Sequence, residues 1–170
     1  AYFKSLSGNI NSFCNNDDVN TMLCLSSFSR NTDRDRRQLH AINRSSIANN
    51  VSQASFITKQ RYDTTTYFQT IGKFKFVVSP EGNGIDTHRH WETFYSKGIP
   101  IVEDNIEMRK KLEGLPVLWT KDYSELTEEY LNQKYEEILK TKYDFSYLLL
   151  SFYCEKYRDE MYQRSKYWCF

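Results

Sequence analysis

One segment of the chain, residues 76–92, holds the residue types best suited to binding a ligand. An apolar run is followed by a glycine turn and a polar helix start, which contain Gly82, Asn83, Gly84, Asp86, Thr87, His88, Arg89 and Glu92. Glycine allows φ > 0 and close approach of a ligand to the backbone, and asparagine tolerates the left-handed region better than most residues. Such a turn presents backbone N–H groups and the positive end of a helix dipole to an anion. The segment therefore predicts a site for a phosphate or diphosphate.

The helix after the glycine turn has recognisable start and stop signals. Asp86 or Thr87 is a suitable N-cap, and no proline or glycine follows before Gly98, which is a suitable C′ residue. Three aromatic side chains at helical spacing are expected to face the sheet, namely Trp91, Phe94 and Tyr95. The opposite side then carries four polar residues, His88, Arg89, Glu92 and Ser96.

Two other interpretations of this segment compete with an anion site. In the first, the glycines only serve the geometry of a tight connection, and Arg89 and Glu92 form a surface ion pair that contributes little to stability. In the second, His88 and His90 bind a metal, since imidazole is a common ligand. Residues two apart on a helix point about 200° apart, because one turn takes ~3.6 residues, so these rings cannot chelate one ion. We expect neither a metal nor a resident cofactor.

The segment from Phe76 to Val102 as a whole resembles the exostosin-like glycosyltransferases, in the donor-binding half of their GT-B fold. The resemblance lies in the order and spacing of Ser79-Pro80, Gly82-Asn-Gly84, Asp86-Thr-His-Arg89, Trp91-Glu92 and Gly98-Ile-Pro-Ile-Val102. Upstream, Ser29, Thr32 and Arg36 resemble the loop after the first strand of the same half. The similarity extends from about Met22 to Leu131, and its motifs are specific mainly between Phe76 and Val102.

The resemblance implies a nucleoside-diphosphate sugar as the donor substrate. It implies that residues 82–87 surround the phosphates, that Arg89 contacts the diphosphate and that Glu92 contacts ribose or sugar hydroxyls. Ser29, Thr32 and Arg36 would face the same sugar nucleotide. The family's general base lies on the acceptor half, so no catalytic residue is assigned. The chain departs from the family at Glu81, where exostosin-type sequences often carry a basic residue.

The alternation of strands and helices predicts an α/β fold, with a Rossmann-like, mainly parallel sheet of about five strands covered by helices on both faces. Strands are expected near 21–27, 54–58, 73–79, 98–102 and 115–119. Helices are expected from Thr32 or Asp33 through Ile47, over 63–71, 87–97 and 106–112, from Asp122 or Ser124 to Lys140, and from Asp144 onward. The last helix is predicted to bury Leu148, Leu149, Phe152, Tyr153 and Tyr157. Loops that follow parallel strands gather at one edge, which would bring 29–36 and 82–89 together.

Charge and composition exclude several classes of protein. The net charge is +1, from 23 basic and 22 acidic residues that are interspersed, so a nucleic-acid-binding surface is not expected. The four cysteines show no C-x-x-C spacing and do not suggest a disulfide framework or zinc site. The longest apolar run near the C-terminus is far shorter than the ~20 residues of a membrane span. These features favour the cytoplasm, with the Golgi lumen as the alternative if a tether has been removed.

The 170 residues are enough for one α/β domain, here assigned to 21–170 after an irregular arm at 1–20. A complete GT-B enzyme needs two such domains. We therefore expect a separate acceptor-binding domain or partner chain, and a glycan or other hydroxyl compound as acceptor. The leading interpretation is a glycosyltransferase donor-binding domain, and the alternative is a non-catalytic nucleotide-sugar-binding module. A dehydrogenase is disfavoured because no G-x-G-x-x-G pattern occurs.

Overall fold

The computed structural model describes residues 19–33, 42–149 and 152–165. Most of the predicted arm at 1–20 and Arg36 of the predicted site lie outside the described residues. Five strands are described: β1 (Met22–Leu25), β2 (Ile57–Thr58), β3 (Phe74–Val78), β4 (Ile99–Glu103) and β5 (Leu118–Thr120). Six α-helices accompany them: α1 (Arg44–Ser52), α2 (Thr64–Thr70), α3 (His88–Tyr95), α4 (Ile106–Lys111), α5 (Glu128–Leu139) and α6 (Glu155–Ser165).

The five strands form one parallel sheet in the order β2-β1-β3-β4-β5. This confirms the predicted α/β class, the Rossmann-like parallel sheet and its strand number. The chain runs outward from β1 to β2 and then returns to the other side of β1 to form β3. The strand order therefore reverses between β1 and β3, the position at which parallel α/β sheets generally form a ligand-binding crevice outside the carboxyl ends of their strands.

Helices cover both faces of the sheet. Side chains alternate between the faces along each strand, and apolar side chains on both faces pack against helices. On one face Phe76 and Val78 pack with residues of α1 and α5, including Ile47 and Leu131. On the other face Val77 packs with Tyr67 of α2, while α3 and α4 cover the sheet further along through a cluster of Phe94, Met108, Leu112 and Leu115. Each fully buried aliphatic or aromatic side chain contributes roughly 1.5–3 kcal/mol, so the central strands are held mainly by this two-sided burial.

Several predicted helix boundaries are wrong because capping side chains lie elsewhere. Ser29 caps a short 3₁₀ turn over Arg30–Thr32, and α1 begins only after Asn43, which forms a reciprocal capping box with Ser46. The helix predicted from Asp122 or Ser124 begins after Thr127, whose side chain accepts a hydrogen bond from the Tyr130 N–H.

The predicted inner stripe of the last helix is also wrong. Leu149, Phe152 and Tyr157 are each more than half exposed, at 54%, 58% and 57%. Residues 146–148 form a 3₁₀ turn, and α6 begins only at Glu155, so the stripe is not on one continuous helix. Within the part of the chain that the structure describes, no helix has the length and apolar character needed to cross a membrane.

The end of α3 differs from the prediction in one residue. Lys97, not Gly98, occupies the left-handed C′ position, with φ of 63°. The Gly98 N–H donates to the Thr93 carbonyl and the Lys97 N–H to the Phe94 carbonyl, both at 2.9 Å, which is the Schellman pattern. Gly98 instead leaves little room for a side chain, since a Cβ there would lie 3.1 Å from Thr93 Cγ2 and 3.3 Å from the Phe74 carbonyl oxygen.

Replacing Lys97 with glycine should stabilise the protein. The left-handed conformation costs a residue with a Cβ about 1 kcal/mol more than glycine, so Lys97→Gly should raise the free energy of unfolding by about that amount. Urea denaturation measures this change. Lys97→Ala is the matched control, because it removes the same side chain but keeps the Cβ, and it should stay within about 0.5 kcal/mol of the parent. Equal stability of the two variants would contradict the assignment.

Candidate functional site

The loops that follow β1 and β3 meet at the carboxyl edge of the sheet. Residues 26–33 leave β1 and residues 79–87 leave β3, on the two sides of the crevice where the strand order reverses. The structure thus brings together Ser29 and Thr32 of the first loop with the glycine turn of the second, which are far apart in sequence.

Arg44 joins these two loops. This first residue of α1 is only 8% exposed. Its guanidinium donates from Nε to the Glu81 carbonyl at 2.8 Å, from Nη1 to the Ser29 carbonyl at 3.0 Å and from Nη2 to the Pro80 carbonyl at 3.1 Å. Its backbone N–H donates to Asp33 Oδ2 at 2.6 Å. One buried cation therefore sets the distance between the two loops.

Sequence reasoning missed Arg44, although one local signal was available. A cation in the first turn of a helix lies at the positive end of the helix dipole, which is the unfavourable end. An arginine in that position next to a strong capping residue suggests that contacts outside the helix hold it. Three carbonyl acceptors supply those contacts here.

The glycine turn has a different structural basis from the one predicted. Among the described residues the glycine with positive φ is Gly114, so Gly82 and Gly84 do not use the left-handed conformation that glycine allows. A Cβ on Gly82 would lie 2.7 Å from Arg44 Nη2, which shows that the position must be small because the guanidinium packs against it. The Gly82 N–H donates to the Gly84 carbonyl at 3.0 Å, and the Glu81 N–H donates to Glu103 Oε2 at 2.8 Å. These two amides are engaged within the protein.

The start of α3 lies directly beyond this turn and carries no side-chain cap. Thr87, not Asp86, is the N-cap residue, with extended backbone angles of φ −117° and ψ 150°, but its side chain makes no capping hydrogen bond. Within the described ranges, the Thr87 and Thr32 hydroxyl oxygens are both buried and lack a hydrogen-bond partner. Buried polar atoms are rarely left unpaired in folded proteins. One such hydroxyl therefore lies in each of the two loops.

Arg89 and Glu92 are connected through Tyr67 of the neighbouring helix α2. Arg89 Nη1 donates to the Tyr67 hydroxyl at 2.8 Å, and this hydroxyl donates to Glu92 Oε2 at 3.0 Å. The Arg89 guanidinium carbon also lies 5.1 Å from the centroid of the Tyr67 ring. Burial raises the pKa of Tyr67, so the hydroxyl stays protonated and can donate to the carboxylate. The two side chains that were predicted to contact a donor are thus held in place by one buried tyrosine.

The buried face of α3 matches the predicted aromatic one only in part: Phe94 is buried and Trp91 packs against its cluster, but Tyr95 does not belong to this face. His90 and Thr93 are buried together with Phe94, whereas Tyr95 is 43% exposed and its hydroxyl donates to the Leu148 carbonyl at 2.9 Å. The reason is a polar contact: His90 Nε2 lies 3.0 Å from the carbonyl oxygen of Ser79, the residue after β3. A carbonyl only accepts, so Nε2 carries the proton in this contact.

The surroundings of His90 favour its neutral form. Burial lowers its pKa, and this effect exceeds the opposing influence of the Ser79 carbonyl and of Asp86. Nδ1 is 3.8 Å from Asp86 Oδ1, but this oxygen accepts a hydrogen bond from Trp91 Nε1 at 2.8 Å, and Lys111 pairs with the other carboxylate oxygen. Partial burial opposes ionisation of Asp86, yet the bonds from Lys111 and Trp91 hold its pKa below the ordinary value. Asp86 therefore joins the loop to α3 and α4.

The remaining predicted residues occupy the surface of this region. His88 and Asn83 are exposed. Within the described part of the chain, no group of three or more His, Cys, Asp or Glu side chains is placed to hold a metal ion.

No protein-family model matches the chain, and no curated protein sequence matches it significantly.

The packing of Arg44 against Gly82 predicts different tolerance at the two glycines. Gly82→Ala should lower the free energy of unfolding by about 1–3 kcal/mol, because the new methyl group displaces a guanidinium that three carbonyls hold. Gly84→Ala is the matched control, since its Cβ would lie 3.6 Å from the nearest heavy atom outside its chain neighbours and φ is not positive there. It should be neutral or stabilising by up to about 1 kcal/mol. Urea denaturation of both variants measures the difference, and equal losses would contradict the role of Arg44.

The buried neutral imidazole predicts a dependence of stability on pH. Because the pKa of His90 is lower in the folded protein than its ordinary 6.5, the unfolded chain binds more protons below that pH. The contribution of neutral His90 to the free energy of unfolding is complete above about pH 6.5. Below that pH the contribution is lost, by at most ~1.4 kcal/mol per pH unit. His90→Gln should reduce this acid-side slope in urea titrations between pH 7.5 and 5. His88→Gln, an exposed neighbour, should leave it unchanged, and a slope insensitive to His90→Gln would refute the assignment.

Proposed function

We propose that this chain is the donor-binding domain of a glycosyltransferase, and that it binds a nucleoside-diphosphate sugar in the crevice between the carboxyl ends of β1 and β3. The observation that carries the proposal is the start of α3. It follows the loop 79–87 at the carboxyl end of a central strand, has no side-chain cap and is flanked by Arg89. Parallel α/β sheets bind ligands at this position, and an uncapped helix start attracts phosphate groups.

Arg89 supports the anion part of the proposal. Its guanidinium is half-buried and is positioned by Tyr67, which receives one of its N–H bonds. A guanidinium has five donors in a fixed planar arrangement, so others can pair with phosphate oxygens. Because the amides of Glu81 and Gly82 are engaged within the protein, the α3 start and Arg89 would carry most of the diphosphate contact.

Three further groups suit the hydroxyls of a ribose or a sugar. Glu92 and Arg89 bind the same Tyr67 hydroxyl, so a carboxylate acceptor would lie beside the proposed diphosphate position. Thr32 and Thr87 have buried hydroxyl oxygens that lack partners among the described residues, one in each of the two loops. A carboxylate can accept hydrogen bonds from ligand hydroxyls, and a threonine hydroxyl can both donate and accept.

The proposed chemistry is stabilisation of the departing diphosphate. When the bond between the sugar and the diphosphate breaks, negative charge grows on the leaving group. Preorganised donors lower the barrier to such a step, and the α3 dipole and Arg89 would be the donors here. The acceptor hydroxyl and the base that deprotonates it would come from another domain or chain. The second candidate, a binding module without transferase activity, uses the same site and differs only in lacking that partner.

Calorimetric titration with uridine diphosphate, guanosine diphosphate and their sugar conjugates tests the proposal. We expect one of these compounds to bind the parent, and Arg89→Ala to weaken its binding tenfold or more, since a hydrogen bond to a charged group is worth ~1.5–3 kcal/mol. Tyr67→Phe, which removes the hydroxyl that positions Arg89, should weaken binding less than Arg89→Ala. Lys97→Ala, at the far end of the same helix, is the control and should bind as the parent does.

Two results would count against the proposal. If none of the nucleotides binds the parent, the donor-site assignment fails. If Arg89→Ala and Lys97→Ala bind a nucleotide equally well, the site lies elsewhere on the chain.

A further inference from the structure

A second groove lies on the other side of the loop that follows β1. It has a volume of about 340 Å³. It opens between this loop, the C-terminal half of α1 and the residues that follow β2. Small-molecule sites commonly measure ~300–1,000 Å³, so the groove is large enough for a small ligand. Phe28 lies between the two regions, because it lines the groove while its ring is 5.7 Å from the guanidinium carbon of Arg44.

The groove combines an apolar floor with a polar rim. Ala48 and Val51 of α1 are buried beneath it, and the Phe28 ring adds an aromatic surface. Ser26, Ser27, Asn31 and Gln60 supply hydroxyl and amide groups around these. Such a surface suits a ring that has an apolar face and hydroxyls at its edge, as a sugar does.

The charges along the groove are all positive. Its lining contains Arg30 from the β1 loop and Lys59 and Arg61 from the segment after β2, but no Asp or Glu. Lys59 Nζ donates to the carbonyls of Ser52 and Ala54, both at 2.8 Å, so it serves the end of α1. Within the described ranges, no hydrogen bond or ion pair occupies the side chain of Arg30 or Arg61. Two guanidiniums from separate loops are therefore available to one ligand.

We propose that this groove binds a small hydroxylated ligand that carries a carboxylate or phosphate group. Arginine matches the geometry of both anions with paired N–H donors, which a neutral sugar cannot use. The serine and amide side chains would pair with the hydroxyls, and the Val51 and Phe28 surfaces would contact the ring. The site is separate from the crevice at β1 and β3 and does not rest on the proposed nucleotide site.

Titration of the parent with glucose 6-phosphate, glucuronate, glucose and inorganic phosphate tests this inference, with chemical shifts as the readout. At least one charged sugar should bind about tenfold more tightly than glucose, and whichever binds identifies the anion as phosphate or carboxylate. Inorganic phosphate should bind more weakly than the sugar phosphate, because it lacks the ring. Equal affinity for glucose and both charged sugars would overturn the proposal, and so would inorganic phosphate that binds as tightly as the better of the two charged sugars.

Variants then locate the site. Arg30→Gln and Arg61→Gln should each weaken binding of the charged sugar about tenfold, because each removes a charge-assisted hydrogen bond. Arg158→Gln on α6 changes the net charge equally from an exposed position outside the groove and should have no effect. Affinities unchanged by Arg30→Gln and Arg61→Gln would place the ligand elsewhere and contradict the proposal.

The same variants separate this site from the proposed nucleotide site. Arg89→Ala should retain charged-sugar binding, and Arg30→Gln should retain nucleotide binding. Loss of nucleotide affinity in Arg30→Gln and Arg61→Gln as large as in Arg89→Ala would make the groove part of the nucleotide site and overturn the proposal of a separate one. If no nucleotide binds at all but the charged sugar does, the nucleotide-site proposal fails while the groove assignment stands.

Discussion

The geometry of the carboxyl edge of the sheet depends on the buried guanidinium of Arg44. Removing a cation from water costs several kcal/mol unless its N–H groups find acceptors, so its position is determined by the carbonyls around it. Those carbonyls belong to Ser29 in one loop and to Pro80 and Glu81 in the other. Neither loop can move away without leaving part of the charge unpaired. The requirement for glycine at position 82 follows from the same contact.

Two other buried polar contacts extend this framework to the neighbouring strands. Glu103 at the end of β4 accepts the N–H of Glu81, and the His90 ring binds the carbonyl of Ser79. The glycine turn is therefore held from β4, from α1 and from α3. A start of α3 fixed in this way presents its amides and Arg89 in one arrangement. Preorganised donors of this kind stabilise charge without the cost of reorganisation.

The loop after β1 has a different environment on each side. Towards β3 its Ser29 carbonyl accepts a hydrogen bond from the Arg44 guanidinium, which also binds the loop after β3. Towards β2 it lines a groove with positive charge and an apolar floor. The aromatic ring of Phe28, close to the Arg44 guanidinium, keeps the two regions apart. A short segment can thus border two separate surface regions, because a strand next to the reversal of strand order has a neighbour on each side.

The sequence by itself determined the α/β class, the five parallel strands and the glycine turn followed by a helix, because periodicity and capping depend on residues within a few positions of one another. The tertiary structure alone decided the rest. Arg44 binds carbonyls 15, 36 and 37 positions away, so no local pattern identifies its role. His90 replaced Tyr95 on the buried face of α3 because the Ser79 carbonyl offered it a partner across the connection. Local patterns specify which elements form, whereas the pairing of buried polar groups, which joins distant parts of the chain, decides how their ends are arranged.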